Sequence, residues 1–170
     1  MTKLIYKTTI ALALLFCTFA ALSQNSKYYD YAGKFKIQFP GTPKTDSQNM
    51  TTDMGAVTLY QFMYETSNGV FMVSYVDYPA DKLAQQDKKE LLNKAKNGFV
   101  NALKLNISEE RFVTYAKHPG VIFLADDGTQ FSSMRDYLVE NRLYQLGIFQ
   151  VGAISDEMQN DFFDSFELVK

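Results

Sequence analysis

The chain has 170 residues, with 17 Lys and Arg against 19 Asp and Glu, one Cys and one His. A single cysteine cannot form a disulfide within the chain, and a single histidine is too few for the common zinc and copper sites. No cluster of basic residues is present, so the sequence disfavours nucleic acid as a partner.

The first 23 residues are predicted to be a secretory signal peptide. Lys3 and Lys7 form its basic start, and the uncharged apolar run Ile10–Leu22 follows. Ala21 and Ser23 are small residues, as the −3 and −1 positions of a cleavage site require. The apolar run is shorter than the roughly 20 residues of a membrane span. The sequence therefore predicts export to the periplasm or the cell exterior, with no integral membrane span in the mature chain.

Residues 24–170 form the predicted mature protein, and their number suits a single domain. Cys17 lies inside the apolar run rather than at its end, which disfavours a lipid-modified cysteine and leaves the mature protein with none. Loss of Lys3 and Lys7 leaves 15 basic and 19 acidic residues, a formal charge of −4. We therefore expect an acidic protein that does not seek anionic lipid and whose stability depends on a buried core.

The predicted domain opens with short β-elements. Asn25–Tyr31 is predicted to be either a flexible lead-in or an edge strand. In Lys34–Phe39 apolar and polar residues alternate, which predicts a half-buried strand that Pro40 ends. The polar stretch Lys44–Asp53 is predicted to be a loop or a weak strand.

A hairpin is predicted where Val57–Tyr64 and Val70–Tyr78 flank an Asn-Gly pair at positions 68 and 69. If these two residues are central in a type I′ turn, Tyr64 faces Val73. Both surfaces of the hairpin are rich in apolar residues, so the sheet needs cover on both faces. One surface carries an aromatic set, expected to be core beneath a long helix or, alternatively, an open surface for a partner or an apolar ligand. The aromatic set is Tyr60, Phe62, Tyr64, Phe71 and Tyr75.

Ala80–Leu105 is predicted to be one long amphipathic helix, with Leu91 and Phe99 on its apolar face and Lys96 on its polar side. Ile107–Tyr115 is predicted to be a strand. Further on, three strands form a β-meander, and a second helix closes the chain with its first residue as N-cap. These four elements are Val121–Asp126, Thr129–Val139, Leu143–Val151 and Ser155–Phe166.

Two amphipathic helices and six or seven mostly antiparallel strands predict an α+β fold. Because the sheet needs cover on both faces, the long helix and the C-terminal helix are expected on opposite faces, as an α/β/α sandwich.

A family resemblance rests on His118–Gly120, Met134–Leu146 and Phe162–Leu168. Their order and spacing are similar to those of small secreted bacterial proteins whose fold resembles the PsbP/MOG1 family. Phe35–Pro40 matches a Phe-x-(Ile/Val)-x-Phe-Pro strand that often opens the mature domain in that group. The resemblance covers nearly all of residues 24–170 and implies the same α+β sandwich. PsbP proteins assist the oxygen-evolving photosystem and MOG1 binds a small nuclear GTPase, but a shared fold implies neither role for this chain.

The sequence contains no recognisable catalytic motif, and we do not expect an enzyme. His118, the only histidine, lies in a predicted Lys-His-Pro-Gly turn, where we expect it to be exposed. No Gly-x-Ser-x-Gly motif or phosphate loop is present. A turn explains Asp126 and Asp127 without a metal, because the further oxygen ligands of a calcium loop are missing. No cofactor or metal is therefore expected.

The candidate contact residues are Arg135, Tyr137 and Tyr144. Side-chain alternation along the last hairpin places all three on one otherwise apolar surface. A charge on such a surface needs a partner. Arg135 is therefore expected either to form a salt bridge with a helix carboxylate or to contact an anion or polar ligand beside the two tyrosines. Arg142, in the turn, is expected to be exposed.

These features favour an exported, non-enzymatic binding or accessory module that acts through protein interaction. Its partner would be an envelope or extracellular protein. The alternative is a small-molecule or lipid carrier, with an apolar pocket between the sheet and a helix. An enclosed apolar cavity of about 300 Å³ or more would favour the carrier.

Overall fold

A computed structural model describes residues 27–170, and the predicted signal peptide lies outside this range. The described chain is an α+β fold with ten strands and three helices. Within it, no helix is both long enough and apolar enough to cross a membrane. The helices are α1 (Ala80–Leu83), α2 (Lys88–Leu103) and α3 (Asp156–Phe163). The strands are β1 (Tyr28–Asp30), β2 (Phe35–Ile37), β3 (Lys44–Thr52), β4 (Gly55–Glu65), β5 (Gly69–Asp77), β6 (Asn106–Tyr115), β7 (His118–Asp126), β8 (Gln130–Val139), β9 (Arg142–Val151) and β10 (Glu167–Leu168).

A seven-stranded antiparallel sheet, in the order β3-β4-β5-β9-β8-β7-β6, forms the middle layer. The helix α2 covers one face, and α3 covers the other. The predicted α/β/α sandwich is therefore confirmed. A second, three-stranded sheet in the order β1-β2-β10 lies on the same face as α3 and was not predicted as a separate sheet.

Three of the five residues of the aromatic set are core, but the expected cover was wrong. Phe62, Phe71 and Tyr75 are buried beneath α3 and the small sheet, and α2 lies on the opposite face. Phe35 of β2 packs edge-on against Phe62 with ring centroids 5.2 Å apart. Tyr60 remains 38% exposed at the margin of this core.

The β4–β5 hairpin has a different register from the predicted one. Tyr64 pairs with Phe71 rather than Val73, and the turn is centred on residues 67–68. We attribute this register to packing against β9, where a Cβ on Gly69 would collide with the backbone oxygen of Phe149. The glycine thus permits close strand approach instead of supplying the turn. Since the shift is two residues, every side chain keeps its predicted face.

The single predicted helix Ala80–Leu105 was wrong, because the chain leaves the helix at 84–87 and begins again at Lys88. Asp87 caps the new helix by accepting a hydrogen bond from Glu90 N at 2.8 Å. Lys96 is buried rather than on the polar side, and its ammonium group pairs with Glu110 of β6.

The structure also differs from the prediction at the turn before β7 and at the end of α3. The turn before β7 is Ala116-Lys117, with φ angles of 47° and 74°, so His118 begins the strand and is half-buried instead of exposed. At the C-terminus α3 ends at Phe163, three residues early. The hydroxyl of Ser165 donates to Phe162 O and accepts from the Gln38 N–H just after β2, which competes with helix continuation.

A carboxyl group is buried on the α2 face of the sheet. Asp136 is 0% exposed, and only Oδ2 has a partner, Gln145 Nε2 at 3.1 Å. Burial raises the pKa of Asp136 from its usual 3.8 to about 7. Tyr78 faces the same buried region, and burial together with the Asp136 charge raises the Tyr78 pKa as well.

Asp136 should make the protein less stable as pH rises. The folded state holds this proton up to about pH 7, whereas the unfolded chain releases it near 3.8. Each pH unit between these values therefore lowers the free energy of unfolding by up to about 1.4 kcal/mol. Urea unfolding from about pH 5 to about pH 8 should show Asp136→Asn gaining stability relative to the parent protein as pH rises. The exposed Asp53→Asn is the control, and a constant difference between Asp136→Asn and parent would contradict the burial effect.

Candidate functional site

Arg135, Tyr137 and Tyr144 share one surface of the β8–β9 hairpin, as predicted. Tyr137 pairs with Tyr144 across the strands. Arg135 Nη1 lies 2.9 Å from Asp164 Oδ1, just after α3, and its guanidinium lies 4.5 Å from the centre of the Phe163 ring. The predicted salt bridge between Arg135 and a helix carboxylate is therefore present, with Asp164 as the partner. A ligand contact by the three residues stays a prediction.

Both tyrosines are packed into the core. Tyr137 stacks on Tyr115 with ring centroids 4.6 Å apart, and Tyr144 meets Phe166 edge-on at 5.6 Å. The Tyr144 hydroxyl donates to Gly33 O at 2.6 Å. Burial raises the pKa of both tyrosines, so each hydroxyl stays neutral near pH 7. Their rings support the small sheet from below.

Arg142 is shielded rather than exposed in a turn. Its side chain is 15% exposed and forms two 2.7 Å hydrogen bonds with the carboxylate of Asp77. The guanidinium also donates to Ala32 O at 2.9 Å and lies 4.3 Å from the centre of the Tyr75 ring. Arg142 and Tyr144 thus hold the adjacent carbonyls of Ala32 and Gly33 against the large sheet.

Arg135→Met should lower the free energy of unfolding by about 1 kcal/mol. The change removes an ion pair with an exposed carboxylate and the contact of the cation with Phe163, each worth about that much or less. Chemical denaturation measures the loss. The exposed Arg111→Met is the matched control and should stay within about 0.5 kcal/mol of the parent. Unchanged or increased stability in Arg135→Met would weaken the structural role and favour a ligand contact.

An open cleft of about 470 Å³ lies between the β1 segment and the β3 side of the large sheet. We call it the tyrosine cleft. Three tyrosine rings and the ring of Phe62 supply its aromatic surface, and Tyr60 stacks on Tyr75 with centroids 4.8 Å apart. The residues that line it are Tyr28, Asp30, Ala32, Thr45, Asp46, Ser47, Tyr60, Phe62 and Tyr75.

Polar groups in the tyrosine cleft retain bonding capacity. Asp30 Oδ1 accepts from the Gly33 backbone N–H, while Oδ2 has no hydrogen-bond partner in the described chain. Tyr75 is only 3% exposed, yet its hydroxyl likewise bonds to no described residue. Burial and the nearby Asp30 carboxylate raise the Tyr75 pKa to about 12. The cleft therefore offers a free carboxylate oxygen and neutral phenols.

One wall of the tyrosine cleft is β3, an edge of the large sheet. Eight of its nine residues are exposed, so neither of its faces is covered. The N–H of Ser47 donates to the neighbouring Asp46 Oδ1 at 2.8 Å, which shows that it points away from β4. Because outward groups alternate along an antiparallel strand, the N–H groups of Thr45, Asn49 and Thr51 also face the open side.

The other edge of the sheet is better protected against pairing. In β6 the register shifts between Ile107 and Glu109, and such a bulge disrupts further strand addition. Charged residues at 109–111 add to this protection. In contrast, β3 pairs with β4 without interruption from Lys44 to Thr52 and contains no proline. Of the two edges of the large sheet, β3 is therefore the long and regular one.

The sequence pattern of β3 is compatible with a loop or a strand and gives no sign of the tyrosine cleft. The available signal was the polar segment Lys44–Asp53 beside an aromatic strand. Tyr60 and Tyr75 belong to the predicted aromatic set, but Asp30 reaches them from a distant part of the chain. Among residues 27–170, no three His, Cys, Asp or Glu side chains lie close enough together to hold a metal ion.

No protein-family model and no curated protein matches this chain. The solution structure of CyanoP, the cyanobacterial PsbP of Synechocystis sp. PCC 6803, does match its fold. The TM-score is 0.58 over 91% of this chain and 98% of that chain, at 8% sequence identity. This chain therefore has a PsbP-like fold. A sequence identity this low supports a shared fold and nothing about function.

A crystal structure from Bacteroides thetaiotaomicron VPI-5482 also matches part of the chain. Its TM-score is 0.41 at 11% sequence identity, over 86% of this chain and 49% of that chain. A similarity of this size adds nothing to the account of the fold or the site.

Proposed function

We propose that this protein is an exported, non-enzymatic binding or accessory module that takes up an extended segment of an envelope or extracellular protein. The segment pairs with β3 as an added strand. The proposal rests on the open edge of β3, which pairs with β4 without a bulge and directs the N–H groups of Thr45, Asn49 and Thr51 outward, while the Ser47 N–H between them binds Asp46 Oδ1.

Strand addition follows from the chemistry of such an edge. Unpaired N–H and C=O groups in a straight strand form a template for another chain, and proteins usually block it with bulges, prolines or charges. Main-chain hydrogen bonds give affinity in this mode, and pockets for alternate side chains give specificity. The tyrosine cleft lies directly beside β3 and is placed to supply such a pocket.

The carrier hypothesis ranks second. An apolar cleft lies between the end of α2 and the sheet, where Leu103 is 50% exposed and Val151 is 64% exposed. Its volume of about 240 Å³ is below the roughly 300 Å³ at which small-molecule sites usually begin. This cleft is also open, as is a larger one of about 410 Å³ between α3 and the sheet, so each would leave much of an apolar ligand in water.

Asn49→Pro should block partner binding without unfolding the protein. The N–H that proline removes faces the open edge, so the ladder with β4 keeps its hydrogen bonds. Asn49→Ala is the matched control, because both variants lose the hydrogen bond from Thr58 Oγ1 to Asn49 Oδ1. Covalent cross-linking in the intact envelope should give adducts with parent and Asn49→Ala, and about tenfold fewer with Asn49→Pro. Equal adducts in all three proteins would refute docking at β3.

A further inference from the structure

We infer that the partner strand inserts a cationic side chain, from lysine or arginine, into the tyrosine cleft. This inference rests on the proposed docking at β3 and names the partner's chemistry. The grounds are the charge of the cleft, its free acceptors and its distance from the open edge.

The charge of the cleft favours a cation. Among the described residues that line it none is basic, and Asp30 supplies the carboxylate, because Asp46 pairs with Gln61 and its side chain points to the opposite face of the sheet. Arg142 lies behind Tyr75, but both oxygens of Asp77 and the carbonyl of Ala32 already bind its guanidinium group. A cationic side chain would therefore meet the Asp30 carboxylate without a competing free cation.

The free acceptors are arranged for a hydrogen-bond donor. Asp30 Oδ2 has an open acceptor site, and Asp30 lies close enough to Tyr75 to shift its titration. The hydroxyl of the largely buried Tyr75 and the partly exposed Tyr60 both line this cleft. A charged N–H donor satisfies a carboxylate and phenol oxygens together, and aromatic faces attract a cation within about 6 Å.

The distance from the edge suits a long side chain. Thr45 and Ser47 pair with Phe62 and Tyr60, so they point to the same face as the cleft. Side chains of an added strand would rise on that face at every second residue. Neighbouring strands are about 4.8 Å apart, and a lysine or arginine stem can cross one such spacing. Because Tyr60 on β4 lies two such spacings from the added strand, only a long side chain extends past β3 toward the cleft.

Three synthetic peptides test this inference. Each is a capped five-residue strand of alternating threonine and valine with one central residue: lysine, Nε-acetyl-lysine or glutamate. NMR titration of the isotopically labelled exported protein should show backbone shifts at Ala32, Ser47 and Tyr60 with the lysine peptide. The other two peptides should bind about tenfold more weakly. Raising salt from about 0.05 M to about 0.5 M should reduce this preference.

Two protein variants locate the cationic contact. Asp30→Asn keeps the acceptor for the Gly33 N–H but removes the charge, and Tyr75→Phe removes only the hydroxyl. Both should lose the preference for the lysine peptide while remaining folded, whereas the exposed Asp53→Asn should retain it. Equal binding of all three peptides along β3, or an undiminished preference in Asp30→Asn, would overturn the cationic contact and leave strand addition standing. Absence of peptide-induced shifts at β3 would overturn both proposals.

Discussion

The attachment of the Ala32-Gly33 turn to the large sheet determines the arrangement around the candidate site. Arg142 binds Ala32 O while it pairs with Asp77, and Tyr144 donates to Gly33 O. Gly33 is required at this point, because a Cβ would lie 2.6 Å from the Tyr75 ring. These bonds set the position of β1 and hence the distance between Asp30 and the tyrosines of the sheet.

The same contacts join the two sheets into one core. Phe35 of the small sheet touches Phe62, Tyr75 and Tyr144 of the large sheet, with centroid distances between 5.2 and 6.5 Å. Phe166 closes this cluster from the C-terminal side. The cover ends before β3, so the tyrosine cleft forms where the small sheet stops and the large sheet continues. An open edge and an aromatic, acidic pocket therefore occur side by side.

Much of the layer structure could be predicted from the sequence, because alternation along a strand assigns faces without any knowledge of neighbours. The surface shared by Arg135, Tyr137 and Tyr144 is an example. The strand register was harder to predict, since the β4–β5 pairing depends on how closely Gly69 approaches β9. The break before α2 depends on Asp87, which also fits the interior of a continuous helix pattern.

The candidate site was harder to predict for a related reason. A strand with both faces exposed has no apolar alternation, so β3 resembles a loop in sequence. The shielding of Arg142 depends on Ala32, 110 positions earlier in the chain. Asp30 and Tyr75 are likewise brought together only by the packing of one sheet on another. Local sequence patterns contain no information about such distant contacts.

Amide hydrogen exchange on β3, with and without the native partner, tests strand addition most directly. In the free protein the N–H groups of Thr45, Asn49 and Thr51 should exchange quickly, because they face solvent. Binding should slow these alternate positions selectively, since the intervening N–H groups already pair with β4. Protection confined to β6, or unchanged exchange at the three positions in a partner-saturated sample, would contradict the account.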